Sequence, residues 1–140
     1  MKSKFDYAII ADFLSPCTKE RIIYELSSPK KRIKAFERFS HSAETIIRAE
    51  YIYYKGGAID DTIKSEIKKS VSECAVLSLE FQQGRSMSIE EAFDYLNDKC
   101  IFAIIVTENW LIIKPEYEGG GRIILCIEEK IINLVLFVIR

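Results

Sequence analysis

The residues best suited to chemistry are few and scattered. His41 is the only histidine, and it lies between Ser40 and Ser42. An imidazole can act as general base toward a serine or toward Cys17. That chemistry also needs an orienting acid and a nucleophile signature. Neither stands nearby, and the chain has no nucleophile elbow and no catalytic-cysteine pattern. A helix-end histidine that caps carbonyls or faces solvent accounts for the position equally well. The four cysteines are Cys17, Cys74, Cys100 and Cys126. With no C-x-x-C pair and one histidine, they form no zinc pattern. Three lie in or beside apolar runs, which predicts reduced, buried thiols. No cofactor or metal is expected.

Carboxylates are more numerous. Glu90, Glu91, Asp94 and Asp98 fall at spacings that place them on one helix. An acid–base pair is conceivable there, but no E-x-x-H pattern accompanies it, and a solvated acidic face explains it more simply. Residues 86–129 carry nine acids, Glu116 and Glu118 among them, against Lys99, Lys114 and Arg122. That imbalance suits a basic partner. Tyr51, Tyr53 and Tyr54 lie close to Arg48. Tyr and Arg are common interface anchors, and they are equally common on half-buried strands. The candidate partner-binding residues are therefore Glu90, Glu91, Asp94, Asp98, Glu116, Glu118, Tyr51 and Tyr53.

Two other motifs fare worse. Gly119, Gly120 and Gly121 stand before a strand rather than a helix, with Glu116 and Glu118 just upstream. Acids there would repel phosphate, so the run reads as a hairpin loop. Residues 29–39 form the most basic stretch, with Lys30, Lys31, Arg32, Lys34 and Arg38 against Glu37. Together with the segment before it, this stretch has a helix-turn-helix outline. It offers no Asn or Gln to base edges, and the chain has no overall basic bias. Nucleic acid is an unlikely partner on these grounds.

The elements that must position these residues follow from periodicity. At 140 residues and a net charge of −1, the chain suits one domain with a sizeable core. Residues 4–73 read as helical and 74–140 as sheet-rich. A helix over 4–14 would place Phe5, Ile9 and Phe13 on one stripe, with Ile10 and Leu14 on the adjoining one. Ser15-Pro16 and Ser28-Pro29 read as cap-and-proline helix starts. Residues 40–55 fit helix or strand. Asp60 or Asp61 opens a helix over 62–71. Residues 75–81 alternate as a strand, and 82–86 read as a loop. Ser88 and Glu91 then form a capping box for a helix over 89–97.

Four apolar runs follow, at 101–106, 110–114, 122–127 and 131–139, and they resemble a sheet buried on both faces. Strand, helix and strand from 75 to 106 predict a parallel crossover. The short connections after it predict antiparallel neighbours. The expected fold is α+β, with a mixed, mostly antiparallel sheet of about five strands packed against N-terminal helices. Run 131–139 is too apolar for an exposed edge. It is expected to insert into the sheet, with homodimer formation through it as the alternative.

No signal peptide or membrane-length apolar run is evident, so a cytoplasmic location and no membrane partner are expected. The function that fits best is a non-enzymatic protein-binding domain working through an acidic surface. Bacterial toxin-neutralising, immunity-type proteins are similar in size, charge and architecture, though no motif marks a family. The alternatives are a small enzyme or ligand-binding domain with a pocket between helices and sheet, and a DNA-binding regulator acting through 29–39.

Overall fold

The computed structural model describes residues 7–56, 61–97, 102–107, 109–115 and 123–127. Its centre is a six-stranded, wholly antiparallel sheet. The strands are β1 (Ile52–Gly56), β2 (Glu73–Ser78), β3 (Arg85–Ser88), β4 (Ala103–Val106), β5 (Trp110–Lys114) and β6 (Ile123–Ile127). Their spatial order is β1-β6-β5-β4-β2-β3. The fold is α+β. The strand expected over 131–139 lies outside the described residues, and the six described strands pair with one another without a gap.

Both sheet faces are apolar, so both must be covered. On one face Leu77, Ile104, Val106, Leu111, Ile113, Ile124 and Cys126 meet three helices. These are α1 (Ala8–Ala11), α2 (Lys19–Ser27) and α3 (Arg32–Ile46), which contribute Ile10, Ile22, Leu26, Phe36 and Phe39. On the other face Val76, Ala103, Ile105, Trp110, Ile112 and Leu125 meet α4 (Asp61–Ser70) and α5 (Ile89–Asn97), through Ile63, Ile67, Ile89, Phe93 and Leu96. The result is three layers, helix on sheet on helix. Ile104, Ile105, Ile112 and Ile113 are each 0% exposed. Complete burial of such a side chain contributes roughly 1.5–3 kcal/mol relative to exposure.

The expected parallel crossover from 75–81 to 101–106 is corrected. β2 and β4 are antiparallel neighbours. The reason is a strand, β3, that begins inside the segment 82–86 expected as a loop. After β2 the chain turns at Gly84, whose φ of 84° lies in the region that favours glycine. It then returns as β3, antiparallel to β2. β3 and β4 therefore run parallel to each other on either side of β2, and α5 connects them. The second crossover is longer. β1 and β2 are also parallel, and α4 carries the chain from one sheet edge past β6, β5 and β4. The antiparallel succession β4, β5, β6 agrees with expectation. β1 comes from the segment read as helical, so the sheet reaches further into the N-terminal half than expected.

The helix starts also differ. Pro16 and Pro29 sit in turns before the helices rather than at their first positions. Ser15 O accepts the N–H groups of Thr18 and Lys19, and α2 begins only at Lys19. α3 begins at Arg32 and runs on to Ile46, with a kink at Ser42 (φ −137°, ψ 25°). Residues 40–55 thus hold the end of a helix, a 3-10 turn at Ala49–Tyr51 and then β1. α1 is short, and it buries Ile10 rather than Ile9. Phe13–Ser15 is tied to Ile46–Arg48 by two backbone bonds of 2.8 Å, Ser15 N–H to Ile46 O and Arg48 N–H to Phe13 O.

Helices α2 and α3 are also joined by charge. Glu25 is buried, and Arg38 Nε and Nη2 donate to its two carboxylate oxygens at 2.7 and 3.1 Å. This hydrogen bonding outweighs burial and holds the Glu25 carboxyl below its ordinary range. Arg32, buried as well, donates from Nε to Leu26 O at 2.8 Å, closing an orphan carbonyl at the end of α2. We expect Glu25→Gln to destabilise the protein by about 1–3 kcal/mol at neutral pH. Because the folded carboxyl titrates lower than the unfolded one, its contribution is complete above the ordinary carboxylate range, and it fades as pH falls through the folded value. Urea unfolding at neutral and acid pH should therefore show the gap between wild type and variant closing on acidification. A gap independent of pH would contradict this account.

Candidate protein-interaction surface

The candidate residues divide between two regions, and the sheet separates them further. Tyr51 packs on the α1–α3 face, edge-on to Phe13 with ring centroids 6.2 Å apart. The Arg48 guanidinium lies over its ring at 5.7 Å. Tyr53 and Tyr54 pack on the α4–α5 face. The pairing of β1 with β6 shifts register between Ile52 and Tyr54, and this bulge re-aims the side chains that follow. The expected tyrosine cluster is therefore two half-buried contacts on opposite faces. Tyr51 and Tyr53, the two candidates, stand on opposite faces of the sheet.

The acidic candidates are better placed. Glu90, Glu91 and Asp94 are exposed on α5, which is held rigidly by its buried face and by both of its ends. At the N-terminus the Glu91 N–H donates to Ser88 Oγ at 3.1 Å, and that hydroxyl donates to Glu91 Oε1 at 3.2 Å. The Ser88 N-cap read from the sequence is formed, with Glu91 meeting the Ser88 hydroxyl rather than its backbone N–H. At the C-terminal end Lys114 Nζ donates to Leu96 O at 2.7 Å. Glu90 lies 3.7 Å from Lys68 of α4, an exposed pair that contributes little. Asp98, Glu116 and Glu118 lie outside the described residues, as do Gly119, Gly120 and Gly121.

The structure adds two carboxylates that the candidate set lacked. Glu73, at the start of β2, and Glu80, just past its other end, are both exposed. Glu80 Oε2 accepts from the Tyr95 hydroxyl at 3.4 Å. That hydroxyl also donates to buried Ser78 at 2.9 Å, which ties α5 to the turn after β2. Spacing alone could not group Glu73 with Glu91. Burial first, then Glu73 and Glu91, push the Cys74 thiol up to about 11. The segment 72–97 carries five acids and one base, Arg85, while Lys64 and Lys68 of α4 reach onto α5 at Phe93, and Lys68 also at Glu90. The acids form an acidic corner built on β2, β3 and α5.

The other candidates do not converge. His41 is exposed on α3, one residue before the kink. Cys17, the one cysteine outside an apolar run, is exposed in the turn before α2. Of the five cations in 29–39, Arg32 and Arg38 point inward onto α2, which leaves Lys30, Lys31 and Lys34 exposed. Among the described residues, no three His, Cys, Asp or Glu side chains come together as a metal site. Among the same residues, no helix is long and apolar enough to cross a membrane.

Two measurements check this description. Ser88→Ala should cost about 1 kcal/mol in urea unfolding, the usual contribution of an N-cap, and an unchanged midpoint would contradict the capping geometry. Burial alone pushes the Cys126 thiol up to about 12. In the native protein at about pH 8, iodoacetamide followed by peptide mapping should find Cys17 modified and Cys74 and Cys126 spared; rapid modification of either buried thiol would contradict their placement. Compared with known protein families, with curated proteins and with solved structures, the chain shows no match.

Proposed function

We propose that this chain is a non-enzymatic protein-binding domain that receives a basic partner on its acidic corner, in the manner of a bacterial toxin-neutralising protein. The observation that supports this reading is the concentration of exposed carboxylates on rigid elements: Glu73 and Glu80 around β2, and Glu90, Glu91 and Asp94 on α5. Fixed charges of one sign steer a partner of the other sign and raise the rate of encounter. The described residues buried between the sheet and both helical layers are aliphatic and aromatic, which favours recognition on the outer surface. Inhibition of a basic enzyme by occlusion needs only such a surface.

The test begins with a tagged chain used to capture its partner at low salt. Calorimetry on the identified pair should then show affinity falling steeply as salt is added. The double variant Glu90→Lys/Asp94→Lys should weaken binding at least about tenfold while leaving the unfolding midpoint nearly unchanged. An affinity indifferent to salt and to both reversals would overturn the reading. For the toxin-neutralising form, a large secreted toxin encoded beside this gene should lose activity when the purified chain is added.

A further inference from the structure

The acidic corner contains an open sheet edge. β3 ends the strand order, so among the described strands it is paired on one side only, with β2. The register identifies its free backbone groups. Ile89 N–H donates to Ser72 O at 3.0 Å, and Glu73 faces Ser88. In an antiparallel ladder, facing pairs alternate between those that exchange hydrogen bonds and those that do not. Met87 with Cys74 and Arg85 with Val76 are therefore the exchanging pairs. Ser86, facing Ala75, directs both its N–H and its C=O away from β2. Ser88 directs its N–H the same way.

The surroundings of this edge are accessible. Ser86 and Arg85 are exposed, as is Glu73 on the neighbouring strand, and Ala75 is only half-buried. The helices α1–α3 cover Leu77, but the first core does not extend to Ala75 or Glu73. Glu73 and Glu91 flank Ser88 at one end of the strand. Glu80 stands near the hairpin at the other end. Arg85 is drawn over the Phe81 ring at 5.0 Å, and Lys68 of α4 stands 3.7 Å from Glu90.

We infer that the outer edge of β3 accepts an extended, lysine- or arginine-bearing segment of the partner as an additional strand. This rests on the acidic-corner reading and deepens it by naming the mode of recognition. Backbone bonds to Ser86 and Ser88 hold the segment in register, and Glu73, Glu80 and Glu91 select its charge. The edge is short and its side chains small, so it accommodates many sequences and depends on charge for discrimination. The serines also keep the free edge polar, which limits pairing between copies of the chain itself.

The experiment uses the full chain, labelled with nitrogen-15, and two synthetic peptides. One is Lys-Thr-Val-Lys-Val-Thr-Lys, blocked at both ends; the other replaces each lysine with glutamate. The lysine peptide should shift the Ser86 and Ser88 amide signals and slow exchange of the Ser86 amide. The glutamate peptide should bind at least about tenfold more weakly. Ser86→Pro removes the outward N–H without touching the β2 ladder, which that position does not use. It should cut affinity for the lysine peptide about three- to tenfold, whereas Ser86→Ala should bind like wild type. Signals that shift only along α5, with the Ser86 amide still exchanging freely, would overturn strand addition and leave the acidic corner standing. Absence of binding by the lysine peptide would also overturn it. If partner binding were in addition indifferent to Glu90→Lys/Asp94→Lys, both readings would fall.

Discussion

A sheet that is apolar on both faces cannot stand in water, and the rest of the structure answers that constraint. β4, β5 and β6 carry almost no polar side chain, and every one of their residues except Lys114 is buried. Antiparallel sheets commonly leave one face wet and show alternation along each strand. Here the strands read as continuous hydrophobic runs, so each face needs its own helical layer. The two crossovers deliver the second layer. α4 leaves from one sheet edge and α5 from the other, and both descend on the face opposite α1–α3. The long central runs thus dictate where the helices go, and the helices dictate which surfaces remain for function.

That arrangement explains why the charged residues of interest gather at one corner. Interior strands have no free backbone and no room for charge. β1 is bulged; its Tyr53 and Tyr54 pack on one face, and Tyr51 just before it packs on the other. At the β3 end the sheet finishes in four residues with one apolar side chain among them. Carboxylates that would be intolerable in the core collect there on a firm support. Ser78, Tyr95 and Glu80 link that support to the hairpin turn, and Ser88 links it to the first turn of α5.

Much of this was legible in the sequence where a strong period met a strong boundary. The apolar runs at β4, β5 and β6 announced a doubly buried sheet, and the short connections announced antiparallel order. Ser88 and Glu91 announced the start of α5 within a residue. β3 was not legible, because Arg-Ser-Met-Ser has one apolar residue and four positions show no convincing alternation. Gly84 was the available signal: a glycine between a strand and a cap suits a hairpin as well as a loop. Missing β3 turned an antiparallel pair into an expected parallel crossover. Pro16 and Pro29 misplaced two helix starts because a proline serves a preceding turn as readily as a first helical position. Glu73 and Glu80 were missed for a different reason. They join Glu91 only through strand pairing and helix packing, which spacing along the chain does not express.

Native-state hydrogen exchange on the free protein tests the central claim most directly, because it reads the ladder that creates both the buried sheet and the open edge. The account predicts the slowest amides in β4 and β5, with alternation along β3: Arg85 and Met87 protected, Ser86 exchanging at nearly the rate of an unstructured chain. Uniform protection along β3, or amides of β4 and β5 exchanging as fast as those of β1 and β3, would contradict it.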